Sequence, residues 1–192
     1  MQKFVLMKPG LHTIANNLPQ VAKSIRELSR QRVLVGVPST IANVGHSGAI
    51  NNAYLAYLHE HGAPEAHLPA RPFLGPGIKR VRAKIELYLR AAGKAALSGE
   101  PNEVLKRLHA AGLTAATSAR NVITEGIPPP LAARTVEGRI RRRKSASWKK
   151  QKRAAVAANV AAGLAPGAGL FTPLIDTGAL RASITYVIRR VK

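Results

Sequence analysis

Between residues 59 and 67 the chain reads HEHGAPEAH. Three histidines, His59, His61 and His67, stand with Glu60 and Glu65, residue types that bind transition metals or move protons. The spacing argues against a metal clasp. On a helix, residues two apart point about 200° away from each other, so His59 and His61 cannot hold one ion. A zinc-protease helix needs histidines four apart with a glutamate between them, and this chain lacks that pattern. His61 and His67 could meet in a loop, but no further ligands complete a set. The expectation is no metal, with His59 and Glu60 solvated and His61 packing against or capping a helix end.

A second stretch with chemical potential is Asp176-Thr177-Gly178. These three letters match the catalytic triplet of aspartic proteases, which need two apposed aspartates sharing a proton. A second such triplet is missing, although a symmetric dimer could supply one. The context speaks against a protease: a short helical turn follows the triplet, in a basic, alanine-rich chain. There is no G-x-S-x-G elbow and no Walker-type phosphate loop. No catalytic residue and no cofactor are expected.

Composition narrows the class further. The 192 residues fit one domain, or one domain with arms. Thirty Lys and Arg face nine Asp and Glu, a formal +21. Such a field attracts nucleic acid, anionic membrane or acidic protein surfaces. Apolar residues make up 46%, with only one Trp, four Tyr and three Phe, which favours helices with thin side chains. The chain has no cysteine, which excludes disulfides and thiolate metal sites. MQKFVLMKPG has too short an apolar stretch for a signal peptide, and no run approaches the roughly 20 apolar residues of a membrane span. A soluble, cytosol-made protein without membrane contact is expected.

The elements that must position these residues follow from periodicity. QKFVLMK alternates as a first strand, ended by Pro9-Gly10. Leu11, Ile14, Leu18, Val21, Ile25 and Leu28 recur at helical steps, with a kink at Pro19 or a start just after Leu18. RVLVGVP at 32–38 predicts a strand, and residues 39–49 a mobile loop. NNAYLAYLHEHG predicts a short helix capped by Asn51 or Asn52 and stopped by Gly62. Apolar positions 78, 81, 85, 88, 92 and 96 mark one long helix. Pro101 suits the first turn of another, running to about Thr124. GIPPPL breaks regular structure. Residues 139–153, RIRRRKSASWKKQKR, hold nine cations and no acid. Like charges at neighbouring helical positions repel, so an isolated helix is disfavoured there and 141–170 is expected to be a flexible basic arm. Ser183–Val191 alternates as a last strand with Ile184, Tyr186 and Ile188 on one side, and Asp176 would cap the turn at Thr177–Leu180.

Two separated stretches, YLAYLHEHGAPEAHLPARPFLGPGI and PPPLAARTVEGRIRRR leading to TPLIDTGALRASITYVIR, occur in that order. Together they resemble a family of tailed-bacteriophage virion morphogenesis proteins, called tail completion, neck or head–tail joining proteins. Glu60, Gly62, Pro69, Arg71, Pro72, Phe73 and Leu74 match the family's first motif. Pro129, Pro130, Leu131, Thr135, Pro173, Leu174, Asp176, Thr177, Gly178, Leu180, Ser183 and Ile184 match the second. The stretch from Arg141 to Leu170 is longer than the family's usual link, so its role is not carried over.

The resemblance implies an α+β fold, with a small, mostly antiparallel sheet from N-terminal, middle and C-terminal strands packed against long helices. It implies a structural virion protein at the head-proximal end of the tail, assembled in the host cytoplasm as a homo-oligomeric ring, expected to be a hexamer. The implied partners are the tail tube or tail terminator protein on one side and a head-completion or adaptor protein on the other. The motif residues then hold a rigid corner and do no chemistry. A different reading comes from the arm. Arg139, Arg141, Arg142, Arg143, Lys144, Lys149, Lys150, Lys152 and Arg153 could neutralise phosphates of virion DNA while Trp148 stacks on a base; alternatively, they meet acidic protein neighbours with Trp148 as an apolar anchor.

Overall fold

The computed structural model describes residues 18–38 and 51–191. The expected first strand at residues 2–8 and the expected mobile loop at 39–49 lie outside them. Helix α1 spans Leu18–Arg30. Pro19 lies within the described helix, while Leu11 and Ile14, expected on the same face, lie outside the described residues. Strand β1, Gln31–Gly36, follows at once and pairs antiparallel with strand β2, Thr185–Arg190, near the far end of the chain. The register sets Val33 opposite Ile188 and Val35 opposite Tyr186. The architecture is α+β: a small antiparallel sheet against long helices.

Helices α2 (Asn52–His61), α3 (Leu74–Arg80), α4 (Arg82–Leu97) and α5 (Pro101–Glu125) come next. The caps of α2 are those expected from its sequence: the Asn51 side chain accepts the Tyr54 N–H, and Gly62 ends it at φ 79°. Helix α2 buries Asn52 and Ala56, leaving Tyr54, Tyr57 and His61 exposed. The single helix expected from Ile78 starts earlier, at Leu74, and is broken at Val81. There φ is −109° and ψ 14°, and the Val81 N–H bonds to Ile78 O in a tighter turn.

Helix α5 carries the core. Its Val104 and Leu108 pack with Ala92, Ala95 and Ala96 of α4, and Leu28, Val33 and Ile188 cover that cluster. Further along, Ala116, Ala119, Val122 and Ile123 pack with Phe73, Leu180 and Ile184, covered in part by Val35 and Tyr186. The sheet thus lies along α5 with one residue pair over each cluster. Thin side chains make these approaches close. A Cβ on Gly112 would stand 2.3 Å from Cδ2 of Tyr186, so that ring rests on bare helix backbone. A Cβ on Gly77 would meet Ala119 Cα at 2.6 Å, and Ser118 Oγ donates to Gly77 O across the same crossing.

The chain from Ala133 onward departs from expectation. Helices α6 (Ala133–Arg142) and α7 (Ala146–Ala161) are formed, so the basic arm is not a structureless tether. Leu131, Val136 and Ile140 make a third cluster, against which Trp148, Val156 and Phe171 pack. This apolar contact offsets the like-charge repulsion that disfavours the helices in isolation. Helix α8, Ala179–Ser183, leads into β2. Among the described residues no helix is long and apolar enough to cross a membrane.

Candidate functional site

The crowded loop after α2 is a corner built on Glu60. Its carboxylate accepts the N–H groups of Phe73 at 2.8 Å, Leu74 at 2.9 Å and Gly75 at 2.9 Å. Those are the orphan donors of the α3 N-terminus, where a negative charge is also favoured by the helix dipole. Glu60, expected to be solvated, is therefore a cap reaching from a distant helix, and it explains why α3 begins at Leu74. Gly62 leaves room for the return: a Cβ there would meet Ala70 N at 2.8 Å. Pro69 and Pro72 flank the exit, and the Arg71 N–H donates to His59 O at 2.7 Å. Phe73 is fully buried.

The three histidines do not converge. His61 is exposed and lies against Tyr57, ring centroids 4.7 Å apart. His67 is exposed at φ 51° and closes a 3-10 turn at Pro64–Ala66. Among the described residues no group of three or more His, Cys, Asp or Glu could hold a metal ion. His59 is half-buried rather than solvated, and its Nδ1 is sealed without a hydrogen-bond partner. Burial, with the nearby charge of Arg71, holds its pKa below the ordinary 6.5. The unfolded chain therefore takes up a proton that the folded one resists. Stability from this residue is full above about pH 6.5 and falls as the pH drops toward the folded value. The urea midpoint should be lower at about pH 5.5 than at about pH 7.5, and His59→Gln should flatten that difference.

Arg71 links the two motif segments. It is 5% exposed, and its guanidinium donates from Nε to Pro129 O at 3.0 Å and from Nη2 to Pro130 O at 3.2 Å. The loop it grips includes a cis Pro128–Pro129 peptide. Opposite stands Asp176, which does not cap α8. Thr177 Oγ1 takes the Ala179 N–H at 3.3 Å, and Gly178 turns the chain at φ 83°. Asp176 instead pairs with Arg142 at 2.5 Å and faces Arg139 at 4.0 Å. It is half-exposed, so this pairing is worth under about 1 kcal/mol. Asp176→Asn and Asp176→Ala should therefore lower the thermal midpoint equally and slightly, with the loss shrinking in about 1 M salt. A cap would instead spare the asparagine variant. Leu180 and Ser183 are buried, with Ser183 Oγ donating to Leu180 O.

The basic residues divide into two groups. Arg139 is 9% exposed, and its Nη1 donates to Thr172 O at 3.1 Å and Ile175 O at 2.8 Å. Arg142 is held by Asp176, and Arg153 pairs with Glu137 at 2.5 Å across the α6–α7 hairpin. Trp148 is engaged inward: it meets Phe171 edge-on at 6.4 Å, with Arg143 and Lys152 each 5.8 Å from its ring centre. Its ring is partly buried against the third cluster and partly exposed. Arg141, Arg143, Lys144 and Lys150 are exposed, Lys149 partly so, and none of these five is in an ion pair among the described residues.

The two motif segments enclose a concavity of about 590 Å³. His59 and Arg71 line it from the first, Leu131 and Arg139 from the second, and Asp176 and Leu180 from the turn before β2. No local signal announces this meeting, because Arg71 and its acceptors are 58 and 59 residues apart. The chain matches no family model, no curated protein and no solved structure.

Proposed function

We propose that this chain is a structural protein of a tailed-bacteriophage virion, seated in the neck, where it completes the head-proximal end of the tail and joins head to tail. The observation that carries this reading is the meeting of the two resembling segments. Their matched residues Arg71, Pro129 and Pro130 bond directly, and Glu60 starts the helix that packs on α5. Glu60 and Arg71 among these matched residues hold backbone groups, which suits a scaffold without enzymatic activity. Assembly as a homo-oligomeric ring, a hexamer on this reading, is supported by large apolar side chains left on α4 and α5. Leu87 is 64% exposed, Leu97 63% and Leu113 55%. Ring closure would cover such surface. The neighbours are then the tail tube or tail terminator protein and a head-completion or adaptor protein.

Electron microscopy of particles made without the protein tests this. Unjoined heads and tails, rejoined when the protein is supplied, are the expected result. Normally joined particles, or a mass of one copy per particle, would sink it.

A second reading, nucleic-acid binding, is favoured by the unpaired cations on the outer face of α6–α7. Neutralising Arg141, Arg143, Lys144 and Lys150 together should leave the fold intact and reduce joining on the neck reading. Loss of salt-sensitive DNA binding alone, with joining unchanged, would favour the second.

A further inference from the structure

The concavity between the motif segments carries more positive charge than the protein itself neutralises. Arg71 and Arg139 are both at least nine-tenths buried and both line it. Arg71 is in no ion pair among the described residues. The carboxylate nearest Arg139 is 4.0 Å away and is held more closely by Arg142, at 2.5 Å. Backbone carbonyls take Nε and Nη2 of Arg71 and Nη1 of Arg139. Among the described residues, no acceptor takes Nη1 of Arg71 or Nη2 of Arg139. A third feature has the same sign. Helix α6 opens on the concavity at Ala132, which offers its N-terminal N–H groups no side-chain cap. Buried guanidinium groups and an uncapped helix N-terminus together favour an anion.

The walls decide which anion. Leu55, Leu68, Pro130, Leu131, Leu174 and Leu180 surround the arginines. A phosphate on a sugar backbone brings no apolar surface to such walls. A carboxylate on a hydrocarbon stem does, and its two oxygens match the planar guanidinium fork. A volume of about 590 Å³ also falls in the range of sites that enclose a small group with a few placed polar contacts. We propose that this concavity is a docking site for an acidic side chain, flanked by apolar residues, on a peptide segment of another protein. This goes beyond the neck reading and stands whether or not the chain sits in a virion.

The test is calorimetric titration of the full chain with a set of capped hexapeptides, each with one central glutamate and varied apolar neighbours. Each is matched by a twin with glutamine. One charge per peptide and about 0.15 M salt keep the protein's overall field from driving association. Saturable binding of glutamate peptides at one per chain is expected, with the glutamine twins at least about tenfold weaker. Thr135 is exposed and lines the concavity, so Thr135→Trp should block it sterically without touching either arginine. It should weaken binding at least about tenfold with an unchanged thermal midpoint. Lys144→Gln with Lys150→Gln, both exposed and on the outer face, should leave affinity unchanged. Four results would each overturn the proposal: no binding across the set, equal binding of the twins, full binding by the tryptophan variant, or loss of binding in the outer-face variant. Inorganic phosphate or butyrate binding as tightly as the peptides would also overturn it, marking a general anion site or a small-acid site.

Discussion

Phe73→Ala is expected to destabilise the protein by about 3–5 kcal/mol, the range for deleting a fully buried aromatic side chain. The ring is 0% exposed and shares a cluster with Ala116, Ala119 and Ile123 of α5 and with Ile184 at the entry to β2. Two features place this site at the upper end. The facing α5 surface is largely alanine, whose methyl groups cannot swing into a cavity. The backbone at Phe73 is also pinned, because its N–H is held by the Glu60 carboxylate at 2.8 Å, so the corner cannot sink to close the gap. Urea denaturation with the slope compared between variants is the direct measurement. Phe73→Leu should recover more than half of the loss, since it leaves a smaller cavity. A loss below about 1 kcal/mol for the alanine variant would show that the corner is not packed into the core.

The parts of this fold legible in the sequence are those whose signals are local. Asn51 and Gly62 bound α2, and Pro101 opens α5, because caps and first-turn prolines act within one turn. The last strand and its inward residues Tyr186 and Ile188 were legible from alternation, although it starts at Thr185, after Ser183 ends α8 and Ile184 caps it. The start of α3 was not. It depends on a carboxylate 13 and 14 residues upstream, and Glu60 carries no mark that separates a distant cap from a solvated glutamate.

The α6–α7 hairpin shows where a local electrostatic argument loses to packing. Nine cations in fifteen residues do repel, but exposed repulsion is screened within about 10 Å at ordinary salt. Val136 and Ile140 on one helix, with Trp148 and Val156 on the other, bury apolar surface that no salt weakens in the same way. The signal was present: Val136 and Ile140 are four apart, Trp148 and Val156 eight apart, and Ser145 precedes Trp148 by three. Ser145 Oγ accepts the Trp148 N–H, the ordinary mark of a helix start. The same hairpin brings Arg139 and Arg142 to Asp176, so the aspartate's pairing is set by a segment whose charge pattern points to a flexible arm.

Arg71→Met should lower stability by about 2–3 kcal/mol, and the balance behind that figure separates two roles for the residue. Losing the guanidinium removes hydrogen bonds to Pro129 O and Pro130 O, each worth about 1.5–3 kcal/mol when the donor is charged. Against this, methionine is not charged, and burying the guanidinium costs several kcal/mol that the variant no longer pays. Burial already pulls the arginine's pKa below its ordinary value, a sign of that cost. The freed carbonyls soften the loss, because Pro129 and Pro130 are exposed and water can reach the loop. Arg71→Lys should not rescue: one ammonium on a flexible stem cannot span two successive carbonyls as the planar fork does. Urea midpoints for both variants give the stability change, and limited proteolysis across residues 126–132 reports whether the loop has come loose. A methionine variant as stable as wild type, with the loop still protected, would mean that the carbonyl bonds contribute nothing net. The buried charge would then be retained for what it meets in the concavity, and that variant's loss of glutamate-peptide binding at unchanged stability would measure that role directly.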